Sequence, residues 1–318
     1  MAALPHAARA SKSLRRNQMR FALFVFVPIM ALFLIIRIVP IFQMLLISPT
    51  NENLRRPVSR FTGLENFTRM WDDPAFVNAL VNSLKFVALA LPAEIILGLG
   101  LAILMNRLVR LESLYQTLYF IPYILPMVPS AIVWKWIYAP GVYGLGNLAL
   151  DRVGLGPVGW LTNAQLALFL IIGVHVWKHL GFFVIVFLVG VKSIPGEYRE
   201  AAELDGASAF RTIWDIDLPL LKPIILFAST MAAIWAWSSF TEVYVMTQGS
   251  DVSAGTELKV LVTKIYEEGF QYGGVGYASA LSLVLFAISM IMVGILFLLF
   301  RERGDTGRRR KLGTRGAS

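Results

Sequence analysis

Long apolar stretches separated by short polar segments make up most of this chain. A run of about 20 apolar residues is long enough to cross a hydrocarbon layer as an α-helix. Six such runs are read at Phe21–Ile47, Phe76–Met105, Leu114–Tyr138, Leu166–Val189, Pro223–Met246 and Tyr277–Phe300. The expected fold is therefore all-α and polytopic, with six transmembrane helices. The first run is too long for a signal-peptide core, lacks a small-residue cleavage site and continues through Arg37 and Pro40, so it is expected to persist as a helix. The organisation that follows is a basic N-terminal segment over 1–20, a membrane region over 21–300 and a basic tail over 301–318.

Composition narrows the class. Of 318 residues, 57% are hydrophobic and only 15% charged, too few charges to cover a water-facing surface. A soluble enzyme and a disordered chain are both excluded. Zero cysteines remove disulfides, thiolate metal sites and Cys nucleophiles. The net charge of +9 invites a nucleic-acid reading, but the positions of the charges argue for topology instead. Seventeen Lys and Arg fall before the first run, in 106–113, in 191–219 or after residue 300; seven fall in the other three loops. Positive residues stay cytoplasmic, so both termini are expected inside, with Arg308–Lys311 anchoring the tail against anionic lipid and no nucleic-acid partner. One outer loop dissents, carrying Arg55, Arg56, Arg60 and Arg69 together with Glu52, Glu65, Asp72 and Asp73.

The polar segments 48–75, 140–165 and 247–276 are rich in Gly, Pro, Asn and Asp and read as turn-forming connections. The segment 191–219 differs. After Ile194-Pro195-Gly196 it carries Glu197-Tyr198-Arg199-Glu200-Ala201-Ala202-Glu203-Leu204, strong helix formers with acids in the first turn. Gly206 interrupts, and Ala207–Ile216 reads as a second short helix closed by Leu218-Pro219. A helix–glycine–helix hairpin on the cytoplasmic side is a candidate docking element.

Glu200-Ala201-Ala202, Gly206, Ile216 and Leu218-Pro219 stand at the spacing E-A-A-x3-G-x9-I-x-L-P. This resembles the cytoplasmic loop of permease subunits in binding-protein-dependent ABC importers. Phe61-Thr62-Gly63-Leu64-Glu65-Asn66-Phe67, Ile121-Pro122-Tyr123 with Pro126, and Thr247-Gln248-Gly249 resemble the sugar-permease branch related to the maltose and glycerol-phosphate importers. The large extra outer domain of the maltose subunit is absent. The resemblance implies a maltose-permease-like fold in a bacterial inner membrane. It implies four kinds of partner: a second, different permease chain, two ATPase subunits, an extracytoplasmic solute-binding protein and membrane lipid. ATP and magnesium would bind those ATPases, this chain holding no cofactor and doing no catalysis. The hairpin would sit in a cleft of an ATPase. Gly206 would permit its turn, with Asp205 beside it. Ala201 and Ala202 would permit close approach, and Glu200 would offer a carboxylate to a basic residue of the partner. The alternative is an amphipathic helix on the headgroups, which gives no reason for the glycine and Ile-x-Leu-Pro spacing.

Polar side chains at membrane depth are functional candidates by default. They are Lys85, Glu94, Lys135, His175, Lys178, His179 and Glu242. Lys85 and Lys135 lie near span ends and can snorkel; Glu94 can instead satisfy a neighbouring helix. His175 and His179 share one helical face at a spacing a metal pair would use. The pair lacks a catalytic glutamate and His6 is the only other histidine, so no metal is expected. By the resemblance, His175, His179, Tyr123 and Ser239 fall where the maltose-type subunit lines its sugar pocket. Pro122, Pro126 and Pro129 bend the third span, as in helices that line cavities. In the fifth span, Trp235, Ser239, Glu242 and Tyr244 alternate aromatic faces with polar groups in a way that suits a sugar; the alternative is an interfacial aromatic belt. An anionic solute would favour Lys178 and a protonated histidine.

Gly154-Leu155-Gly156-Pro157-Val158-Gly159 fits a dinucleotide fingerprint by letter but follows no strand, and no phosphate-binding P-loop exists. Asn66-Phe67-Thr68 fits a glycosylation acceptor, and Gly98 with Ala102 would permit close helix packing. A secondary transporter would show inverted internal symmetry, which is not found. The expected function is half of the translocation pathway for a sugar or related polar solute. A glycerol phosphoester, polyol or amino sugar is the runner-up.

Overall fold

The computed structural model describes residues 5–56, 58–107, 112–248 and 258–301, with side chains from residue 17 onward except those of 107 and 142. The Arg308–Lys311 tail, Gly249 and Arg110 lie outside the described residues. The chain divides into two compact units, one drawing on 1–69 and 268–283, the other on 70–267 and 284–318. Among the described residues the regular structure is helical, and the extended pairings are isolated bridges such as Thr50 with Phe61.

In the first unit, α1 (Pro5–Phe33) runs through a π-helical turn, Leu34–Ile38, into α2 (Val39–Ile47). The helix runs beyond the apolar stretch on its N-terminal side and covers the basic segment from Pro5 onward. The widened turn sits where Pro40 would meet the carbonyl four residues back, the usual reason for such a bulge. The stretch Asn17–Ile47 is apolar and unburied, as a lipid-facing helix should be. Asn66, on α3 (Glu65–Asp72), is buried and donates to the carbonyls of Ser48 (2.8 Å) and Thr50 (2.7 Å). Its amide staples the loop after α2, so the acceptor triplet is a structural asparagine with no room for a glycan.

In the second unit, α4 (Pro74–Arg107) is followed by α5 (Glu112–Ile124) and α6 (Met127–Ile137), bent 96° to one another at Leu125-Pro126. The third span is thus broken rather than continuous. Proline forces the residue before it out of the helical region, and Pro126 itself is extended at ψ 144°. Then come α7 (Leu145–Arg152), α8 (Ala164–Ser193), the short α9 (Glu197–Leu204), α10 (Ala209–Thr212) and α11 (Leu218–Leu220), α12 (Lys222–Trp237), α13 (Thr241–Thr247) and α14 (Leu261–Tyr266). The fifth span breaks at Ser238–Phe240. The outer segments, expected as turns, carry the helices α3, α7 and α14. The final helix, α15 (Val275–Phe300), begins in the first unit and ends in the second. Five helices are long and apolar enough to cross a membrane, and the bent α5–α6 pair makes a sixth crossing if taken as one span.

The second unit packs around α8, Asn163 capping it by accepting from the backbone N–H groups of Gln165 and Leu166. Its longest interface is with α4, where Ala102 is buried with Phe183 and Phe187, and Ala228 of α12 joins the same cluster. Close approach is enforced by glycines: a Cβ on Gly98 would lie 2.8 Å from that of Phe183, and one on Gly181 would lie 2.0 Å from the Tyr119 carbonyl oxygen of α5. Gly181→Ala must push α5 off α8, and about 1–3 kcal/mol of destabilisation is expected from such overpacking. Gly173→Ala, on the same helix with nothing within 4 Å, is the control and should stay within about 0.5 kcal/mol. Thermal unfolding of the solubilised protein checks this; equal melting temperatures would refute the close contact.

Candidate functional site

The hairpin at residues 197–220 is built by backbone accounting. After α9, the Gly206 N–H reaches the Glu203 carbonyl (3.0 Å) and the Ala207 N–H that of Ala202 (2.9 Å), with Gly206 at φ +74°. This Schellman closure requires the left-handed residue that glycine supplies without strain. Ser208 caps α10 by accepting from the Arg211 N–H (3.3 Å). The second helix therefore starts two residues later than expected. Nor does it end at Leu218-Pro219: a π-helical turn, Ile213–Asp217, leads into α11, with Pro219 at a first-turn position where its missing N–H costs nothing. Arg199 ties both arms together, its Nε and Nη2 donating to Asp217 Oδ1 at 3.1 and 3.0 Å and its Nη2 to the α8 carbonyl of Val191 at 3.4 Å.

The motif residues distribute accordingly. Glu200, Ala201, Asp205, Gly206 and Pro219 are exposed, Ile216 and Leu218 half-buried, and Ala202 buried. Tyr198, Leu204, Phe210 and Trp214 are large apolar side chains left on the surface, Leu204 at 89% exposure. A concavity of about 650 Å³ between the arms is lined by Glu197, Ala201, Asp205, Arg211 and Asp215 among others. An exposed apolar rim around a polar hollow suits contact with another protein.

A second group lies along α8 at membrane depth. Lys178 is buried and its ammonium donates to the carbonyls of Pro122 (2.6 Å), Tyr123 (2.7 Å) and Leu125. These are acceptors that the α5–α6 break leaves without helical donors, and in hydrocarbon each would cost several kcal/mol if left unpaired, on the order of 2–7. One turn away, His175 is 1% exposed; its Nδ1 lies 2.6 Å from Glu242 Oε1 of α13, and its ring meets Phe86 edge-on at 5.1 Å. Glu94 of α4 is fully buried, with Oε1 3.5 Å from His175 Nε2 and 3.7 Å from His179 Nδ1. His179 Nδ1 also lies 2.9 Å from the His175 carbonyl.

Beside this group is a half-buried aromatic surface. Trp235 of α12 stacks on His179 (4.8 Å, 28°), and Phe182 sits 4.9 Å and Tyr123 6.1 Å from Trp235, with Tyr123 and Phe182 5.4 Å apart. Of the pocket candidates, Tyr123, His179 and Trp235 thus come together. His175 and Glu242 lie enclosed behind them. Lys178 is committed to backbone, and the Ser239 hydroxyl donates to the Ala236 carbonyl (2.7 Å), capping the end of α12. Lys135 likewise donates to the carbonyls of Val245 (3.3 Å) and Gln248.

Four features escaped the sequence reading. Three prolines in one span announce freed carbonyls, so a cation to receive them could have been sought at Lys178. Arg199 with Asp217 and Glu94 with His175 join residues 18 and 81 positions apart, and no periodicity links them. Phe182 was passed over as one of many apolar residues in its run.

Comparison with known proteins places this architecture. Residues 94–303 match the family described as binding-protein-dependent transport system inner membrane component. A probable ABC transporter permease protein of Pyrococcus horikoshii is 32% identical over 78% of this chain and 84% of its own length. The sulfoquinovosyl glycerol transport system permease protein SmoG of Agrobacterium fabrum is 32% identical over 77% and 78%. The trehalose/maltose transport system permease protein MalF of Thermococcus litoralis is 29% identical over 93% and 98%. The crystal structure of a bacterial alginate ABC transporter, solved with an alginate pentasaccharide-bound periplasmic protein, contains a chain that shares the fold. Its TM-score is 0.78 at 23% identity, over 91% of this chain and 96% of that one. The broken helices, the glycine-closed hairpin and these relatives agree: the chain belongs to the family of inner membrane components of binding-protein-dependent transport systems, and is a multi-pass permease subunit of an ABC importer.

Proposed function

We propose that this chain forms half of the translocation pathway for a sugar or related polar solute in a bacterial inner membrane, both termini facing the cytoplasm. It would pair with a second permease chain, and two ATPase subunits would bind ATP and magnesium. A solute-binding protein would deliver cargo from outside. The observation that carries this reading is the Schellman-closed hairpin with its exposed apolar rim. It is a rigid two-armed projection, and Arg199 links it to α8. An ATPase that closes around Leu204, Phe210 and Trp214 would move α8 with it, and α8 holds the α5–α6 break through Lys178.

A carbohydrate cargo is supported by the aromatic surface of Tyr123, Phe182 and Trp235, since sugar rings present apolar faces to such platforms. The relatives named for trehalose/maltose and sulfoquinovosyl glycerol support the same class. Lys178 would not itself receive an anionic group of the cargo, because its donors are already spent on three carbonyls.

Two outcomes are expected. The chain has no cysteine, so Leu204→Cys provides a single thiol; it should cross-link to the ATPase subunit in membranes, while Leu155→Cys on an outer-side segment should not. Cross-linking from neither or from both would remove the docking role. Trp235→Ala should raise the solute concentration for half-maximal uptake about tenfold, corresponding to roughly 1.4 kcal/mol of lost contact, with ATPase assembly intact. Unchanged uptake would move the solute path elsewhere.

A further inference from the structure

We infer that Glu94, His175 and His179 form a three-ligand site for a divalent transition metal, zinc being the ion whose chemistry it fits. The site goes beyond the transport reading and does not depend on it. Glu94 is fully buried, neither of its oxygens has a hydrogen-bond partner, and His175 Nε2 has none either. Leaving such groups unpaired at membrane depth is costly, so something must sit between them.

Geometry decides between a proton and an ion. Glu242 lies 2.6 Å from His175 Nδ1 and, as a carboxylate, accepts that N–H; the imidazole then points the lone pair of Nε2 at Glu94. A lone pair and a carboxylate oxygen facing each other at 3.5 Å repel. The gap exceeds the about 2.7–3.2 Å of an N–H···O bond, so a shared proton does not bridge it. A tetrahedral zinc with bonds of about 2.1 Å sets neighbouring ligand atoms about 3.4 Å apart. The observed 3.5 Å from Glu94 Oε1 to His175 Nε2 and 3.7 Å to His179 Nδ1 lie near that edge, and all three ligand atoms fall within 4.8 Å of one another.

Chemistry and charge agree. Two imidazole nitrogens and one carboxylate oxygen suit zinc, and Glu242 behind His175 supplies the outer carboxylate that commonly fixes a metal-binding histidine. Were Glu94 and Glu242 both ionised beside neutral imidazoles, they would bring two negative charges into an apolar interior; the ion pairs the structure gives Glu94 are both with histidines. A divalent cation would offset both, the Lys178 ammonium being held apart on the carbonyls of α5. To bind through Nδ1, His179 would turn its ring off the His175 carbonyl and carry its proton on Nε2; that carbonyl keeps its helical N–H donor. His179 is the member with appreciable exposure, 18% of its side chain, which gives the ion its way in. The site would staple α4 to α8, with α13 held through Glu242, at the core of the second unit.

The test uses the full transporter complex, purified without a polyhistidine tag and stripped with a chelator, then titrated with zinc and analysed by elemental mass spectrometry. Wild type should retain about one zinc per chain. His179→Gln and Glu94→Gln should lose it, and Glu242→Gln should weaken binding about 10–100-fold. Because Glu94→Gln touches the core, wild-type melting is measured as well: zinc should raise the melting temperature, and should not do so in His179→Gln. Stripped wild type that takes up no zinc would overturn the site. So would variants that hold as much as wild type.

Discussion

Water is not available at membrane depth, so every polar group carried there must be answered by another part of the chain. That constraint explains more of this structure than any propensity does. It is met mainly on one face of α8. Lys178 answers the carbonyls released by the proline break between α5 and α6, His175 answers Glu242, and Glu94 is turned toward both histidines. Without Lys178 the third span could not bend where it does. Without the bend, Tyr123 would not stand beside Trp235 and Phe182.

The same helix runs from the buried polar group to the 197–220 hairpin. Arg199 spans three places at once: α9 which carries it, the π-turn through Asp217, and the last turn of α8 through Val191. The hairpin is therefore an extension of α8 rather than a loop hung from it. A force applied at its exposed apolar rim has a continuous, hydrogen-bonded route to the α5–α6 break. In the proposed reading this joins a handle at the hairpin to a hinge at the α5–α6 break.

Much of this was legible in the residues. The apolar runs gave the membrane crossings, because their length follows from bilayer thickness. The Glu200–Pro219 spacing marked the hairpin, because a left-handed turn needs Gly206. What stayed hidden was pairing across the sequence. Nothing in the pattern said that Ser239 would cap its own helix. Glu94 and His175 could each be flagged as costly, yet their meeting depends on the α4–α8 approach that Gly98 permits. The hairpin's second arm was misread because Pro219 was taken as a stop; the π-turn before it lets the helix run on.

The account rests on the hairpin and α8 moving as one body, and Arg199→Ala tests that directly. The quantity to measure is solute taken up per ATP hydrolysed by the reconstituted importer. Separated from α8, the hairpin should still support ATP hydrolysis while uptake per ATP collapses. An unchanged ratio in Arg199→Ala would contradict the account.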